Sequence, residues 1–102
     1  MDLSKLMKQA QQMQRDLAKQ EEALKAQVYE GSASNNQVVV TVSGEQKVLS
    51  LEIAEELINK EDKDILQDLV MIAINDALTK ASDDRAEKMD ALTAGIKVPG
   101  MF

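Results

Sequence analysis

Lys5, Lys8, Gln12, Arg15 and Lys19 recur at intervals of three and four residues near the start of the chain. On an α-helix, at about 100° per residue, Lys8, Gln12, Arg15 and Lys19 project within an arc of roughly 60°, with Lys5 close beside it. A row of ammonium and guanidinium groups suits electrostatic contact with a phosphate backbone, and Gln9, Gln11 and Gln12 can add hydrogen bonds to phosphates or base edges. Charge runs on helices are more often plain solvated faces, and Asp16 and Glu22 flank this one and dilute its potential. The residues alone leave both readings open. No aromatic residue lies on this segment, which argues against recognition of single strands by stacking.

Other chemistry is poorly served. The chain has no histidine and no cysteine, so the side chain that titrates nearest neutral pH, the usual zinc ligands and a thiolate nucleophile are all missing. The carboxylate pairs Glu55-Glu56, Glu61-Asp62 and Asp83-Asp84 are neighbours in sequence, so their side chains diverge on a helix or strand and do not converge on one substrate. There is no EF-hand-like loop, Gly-rich phosphate loop or nucleophile elbow. We expect no catalytic residue, metal, cofactor or small-molecule substrate, and no enzyme.

The elements that would carry the basic row follow from periodicity. Leu3, Leu6, Met7, Ala10, Met13, Leu17 and Leu24 form an apolar stripe opposite the cations, in a segment of good helix formers without Gly or Pro, which predicts a helix over about 3–26. Gln20 and Gln27 interrupt the heptad seam, so this helix packs on something other than a long two-stranded coiled coil. If the stripe faces a sheet, the cations face solvent. Strands are expected over about 27–33, 37–43 and 46–53. Ser34-Asn35-Asn36 turns between the first two, and Gly44-Glu45 serves as a two-residue hairpin turn before the third. In the third strand, Val48 or Leu49, Leu51 and Ile53 alternate with Ser50 and Glu52, predicting one dry and one wet face. A helical turn at 55–58 precedes a second long helix over about 62–92, capped by Asp62. Gly95, Pro99 and Gly100 break regular structure, leaving a loose tail over 93–102.

Ile65, Leu66, Leu69, Val70, Ile72, Ala73, Ile74, Ala77, Leu78 and Ala81 cover more than half the circumference of the second helix, so it needs two neighbours. One is the chain's own sheet and the other a second copy, which places Leu69, Ile72, Ala73 and Asn75 in a dimer interface. Asn75, inside the apolar stretch, reads as a buried amide bonded to backbone or to its mate across the dimer axis. Dimerisation also suits a single domain of 102 residues whose only aromatics are Tyr29 and Phe102, because a small chain buries too little apolar surface by itself.

The net charge of −6 runs against nucleic-acid binding, but the positive charge gathers at one end, where Lys5, Lys8, Arg15 and Lys19 face only Asp2 and Asp16. Arg85, Lys88 and Lys97 are weaker candidates for phosphate contact. No signal-peptide-like run and no apolar stretch of the roughly 20 residues needed to span a membrane is present, so the chain is expected in the cytoplasm, away from membranes.

Several segments, in order, resemble one family. MKQAQQMQ from Met7, VLSLEI at the end of the sheet, LQDLV from Leu66 followed by NDAL from Asn75, and KM with LTAG between Lys88 and Gly95 look like the YbaB/EbfC family of bacterial nucleoid-associated proteins. The resemblance runs over nearly the whole chain. It implies an α+β fold of long N-terminal helix, three-stranded antiparallel sheet and long C-terminal helix, associating as a homodimer with helices projecting like tweezers. It also implies a nucleoid location and binding of double-stranded DNA with little sequence preference, with effects on nucleoid organisation and gene expression. Ser34-Asn35-Asn36 stands where many members carry a Gly-rich turn. The alternative from a different class is a protein-interaction or chaperone-like adaptor of prefoldin type, which would work through exposed apolar helix tips instead of a basic face.

Overall fold

The computed structural model describes residues 2–93. The order is α1 (Leu3–Lys25), β1 (Val28–Ala33), β2 (Val38–Ser43), β3 (Val48–Ile53), two short 3-10 turns (Glu55–Leu57 and Lys60–Asp62) and α2 (Lys63–Thr93), the α+β plan expected. The expected tail, 94–102, lies outside the described residues apart from Thr93, which ends α2. Asp2 starts α1 by accepting the Ser4 backbone N–H at 3.0 Å. The sheet is antiparallel in the order β1-β2-β3.

One face of the sheet is covered by α2. Val38, Val40 and Val42 of β2 and Ala33 of β1 meet Ala73, Ala77 and Ala81, which stand one turn apart on the helix. These small residues bring helix and sheet close together, and Gly31 sets the limit. A Cβ on Gly31 would lie 2.2 Å from the Ala73 carbonyl oxygen and 2.4 Å from the Ala77 backbone nitrogen, so no larger residue fits. The opposite face carries Glu30, Thr41, Ser50 and Glu52 beside Val28 and Val39, with the Thr41 and Ser50 hydroxyls hydrogen-bonded across the strands.

The turns divide into one expected and two corrected. Ser34, Asn35 and Asn36 all take positive φ, as the Asn-rich turn predicts. The second hairpin has a three-residue loop, 44–46, in place of the predicted Gly44-Glu45 pair. The Ser43 N–H donates to the Lys47 carbonyl, and Gln46 holds the left-handed position with φ 67°. Gly44 serves a different need, since a Cβ there would lie 1.7 Å from the Leu24 carbonyl oxygen at the end of α1. The start of the last helical segment also differs from expectation. Asn59, and not Asp62, supplies the capping oxygen by accepting the Glu61 N–H, one 3-10 turn before α2 begins.

The third strand departs most from its pattern. Its alternation predicted a dry face, yet Val48, Leu49 and Leu51 stay about half exposed and only Ile53 is partly covered. The register pairs Leu51 with Val40 and Ile53 with Val38, so these side chains share the face that α2 occupies. The helix lies over β1 and β2 and stops short of β3. Tertiary placement, which alternation does not encode, leaves this apolar edge open.

Candidate nucleic-acid interface

The basic row sits on an arm. The fold is elongated, 71 × 27 × 16 Å with a radius of gyration of 20.1 Å, against about 13 Å for a compact chain of 100 residues. The two helices run antiparallel. Lys25 and Gly44 border the same cleft as Ala81 and Ser82, while four residues back along α1 Glu21 accepts a hydrogen bond from Arg85 at 2.5 Å. The apolar stripe therefore faces α2 and not the sheet, a correction to the expected packing. Leu24 is its only buried member, Met13 and Leu17 are half-buried, and Leu3, Leu6, Met7 and Ala10 remain exposed. Beyond Met13 the helix projects.

Because the stripe and the cations lie on opposite sides of α1, packing on α2 turns the cations outward. Lys5, Lys8, Gln12, Arg15 and Lys19 are all exposed. Among the described residues the four cations make no ion pair, whereas Lys25, Lys47, Lys80, Arg85 and Lys88 each hold a carboxylate. Lys60 and Lys63 are also unpaired, but they stand at the far end of α2 among Glu61, Asp62 and Asp64. Gln12 is partly engaged, its amide donating to Asp16 at 2.9 Å. That bond also draws Asp16 toward Gln12. The fold thus brings Lys5, Lys8, Arg15 and Lys19 together as a free cationic face and gives Gln12 a smaller share.

The weaker candidates separate from this face. Arg85 is turned into the joint between the helices by Glu21, and Lys88 holds Asp84 at 3.0 Å. Both are therefore partnered within the chain, where they brace the base of the arm. Lys97 lies outside the described residues.

Two carboxylates of α2 fix the helix to β1, and sequence reasoning missed both. The Tyr29 hydroxyl donates to Asp84 at 2.5 Å. Burial, then this bond and the charge of Asp84, push the Tyr29 pKa up to about 12, and the same bond, helped by Lys88, holds the Asp84 carboxyl below its ordinary value. Asp76 accepts the Ser32 N–H at 3.1 Å, the main cause of its own lowered pKa, and Lys80 donates to the Glu30 carbonyl at 2.9 Å. Gly31, isolated in a strand pattern, was the available signal for close approach at this seam. Nothing in the sequence pairs Tyr29 with a carboxylate 55 residues away.

The expected dimer residues scatter. Ala73 is fully enclosed by the chain's own sheet and has no surface left for a partner. Leu69 is partly buried against the same core. Ile72 and Asn75 are both exposed on the single chain because their side of α2 faces away from the sheet, so no backbone group among the described residues holds the Asn75 amide. Among the described residues no acidic group gathers into a metal site, and no helix is long and apolar enough to cross a membrane.

Comparison with known proteins bears on this geometry. Residues 1–96 match the model of the YbaB/EbfC DNA-binding family. A nucleoid-associated protein of Chloroflexus aggregans is 43% identical over 102 residues, covering 100% of both chains. One of Alkaliphilus metalliredigens is 39% identical over 101 residues, covering 99% of this chain and 89% of the relative. The crystal structure of an uncharacterized protein from Helicobacter pylori is similar at a TM-score of 0.75 and 25% identity, covering 90% of this chain and 97% of that one.

Proposed function

Because the chain belongs to the YbaB/EbfC DNA-binding family, we propose that it is a nucleoid-associated protein whose homodimer grips double-stranded DNA with the outer faces of its two α1 arms. The observation that carries this reading is the contrast in pairing. Lys5, Lys8, Arg15 and Lys19 are free on the outer face of α1, while Lys25, Lys47, Lys80, Arg85 and Lys88 are engaged by carboxylates. Free ammonium and guanidinium groups displace counterions condensed on the duplex, which supplies affinity without reading sequence. On the body, Glu30 and Glu52 lie on the open face of the sheet and keep it from competing for the duplex. An effect on nucleoid organisation and gene expression would follow from coating or bridging duplexes.

The test is duplex binding at low salt by the wild type and by Lys8→Glu, Arg15→Glu, Lys19→Glu combined. Loss of binding with folding and dimerisation intact supports the arm. Equal binding by both removes it.

One observation favours the adaptor reading. Leu3 is 72% exposed, and Leu6 and Met7 lie beside it, so the tip of the arm offers apolar surface as well as charge. Wild-type protein that fails to bind duplex at low salt, yet captures unfolded chains through this tip, would favour the adaptor.

A further inference from the structure

The apolar stripe of α1 is covered over only part of its length. Between residues 3 and 17 it holds Leu3, Leu6, Met7, Ala10, Met13 and Leu17 within an arc of roughly 120°, carries no charge and includes Gln14 as its one polar member. What covers it is α2. Lys25 borders the same cleft as Ala81, and four residues back along α1 Glu21 meets Arg85, four residues on along α2. Continued one for one, this antiparallel register sets Leu17 level with Met89 and Met13 level with Thr93, the last described residue of α2. The exposures agree. Met13, Leu17, Met89 and Leu92 are half-buried, while Ala10, Met7, Leu6 and Leu3 are exposed, Leu3 to 72%. The stripe opens where its cover runs out.

We propose that residues 94–102, which lie outside the described residues, continue this cover. They cross the exposed stripe of their own α1 and pack Ile96, Val98, Met101 and Phe102 against Leu3, Leu6 and Met7. The inference does not depend on the DNA reading.

Position, reach and composition select this occupant. The segment starts next to Thr93, level with Met13, so following the stripe outward prolongs an interface that the two helices already form. From Met13 to Leu3 the stripe runs about 15 Å along the helix axis, and residues 94–98, extended, reach about 16 Å at ~3.3 Å each. Pro99-Gly100, a pair suited to the two central positions of a type II turn, comes where that length is used up and brings Met101 and Phe102 back onto the tip. Lys97 is the only charged residue of the segment, so little opposes its leaving water. A second copy or a client chain would have to displace a segment tethered beside the site, which holds a high effective concentration there. A lipid surface fits less well, because the cations stand on the opposite side of α1 and would point away from the headgroups. With its tip covered, the arm presents only its cationic side, and the adaptor reading loses the surface it needs.

The chain has no tryptophan and no cysteine, so introduced ones report alone. In Phe102→Trp the indole emission should be blue-shifted and shielded from acrylamide. Adding Leu3→Asp and Leu6→Asp, acidic changes at exposed positions that suit the N-terminal end of a helix, should return both readings to those of a free indole, with circular dichroism and sedimentation unchanged. Leu6→Cys combined with Phe102→Cys, oxidised mildly, should then give a disulfide within one chain on a non-reducing gel. A free-indole spectrum in the Phe102→Trp protein overturns the proposal. A blue shift that survives the Leu3 and Leu6 substitutions also overturns it, since the segment then packs elsewhere. Disulfides that form only between chains overturn it as well and assign the tip to another copy.

Discussion

Neutralising three of the free cations should change the salt dependence of DNA binding by a calculable amount. Lys8→Gln, Arg15→Gln and Lys19→Gln remove charge from exposed positions that make no ion pair among the described residues, so the fold has little to lose. From Lys5 to Lys19 the row runs about 21 Å along the helix axis, and a duplex presents one charge per ~1.7 Å, so phosphates are not limiting. If both arms of a dimer engage all their cations, the slope of log K against log salt is about −7, at about −0.9 per neutralised phosphate. Between 50 and 200 mM salt that slope means a loss of about 10⁴-fold in affinity. The triple variant keeps Lys5 on each arm, so its slope should fall to about −2. Anisotropy of a labelled duplex across this salt range measures both, with sedimentation as the control for assembly. A wild-type slope near −3.5 would mean that one arm binds at a time. A slope that is the same in wild type and variant would refute the argument, because the contacts would then come from other residues.

Two further predictions concern the seam that supports the arm. Gly31→Ala drives a Cβ against the backbone of α2 at 2.2 and 2.4 Å, atoms that cannot rotate away, so urea unfolding should show a loss at or above the upper end of the about 1–3 kcal/mol typical of overpacking; an unchanged midpoint would mean the helix does not sit where we place it. Tyr29→Phe should cost about 1.5 kcal/mol, the lower end for a hydrogen bond to a charged group, because the site is only partly buried. The pH dependence follows from the raised pKa of Tyr29, since the protonated hydroxyl is the donor. Its contribution is full below about pH 10 and is lost as pH rises through about 12. Wild-type unfolding midpoints should therefore fall over that alkaline range while those of Tyr29→Phe stay flatter, and parallel curves would exclude the bond.

Much of the fold was legible because its signals are local. The apolar spacing from Leu3 to Leu24, the β-branched run from Val38 and the Asn-rich turn each fix backbone geometry over a few residues, and the elements appear within about two residues of the expected bounds. The cations were legible as a row for the same reason, since Lys8, Arg15 and Lys19 share a helix face wherever that helix lies. Their significance was not. A charge row on a helix is ordinary until its surroundings are known.

Tertiary structure decided which charges are free and which surfaces are covered. Arg85 and Lys88 look like candidates in sequence, but α2 brings one to Glu21 and carries the other beside Asp84, so both are spent inside the chain. Ala73 and Asn75 stand two positions apart on one helix, and the sheet's approach at Gly31 buries the first and leaves the second outside. Alternation in β3 announced an apolar face, and only the lateral position of α2 shows that the chain does not cover it. By itself, then, the sequence determined the elements and the composition of their faces, because those depend on neighbours along the chain. Pairing and burial depend on groups far apart in sequence, and these were settled only when the helices and sheet packed.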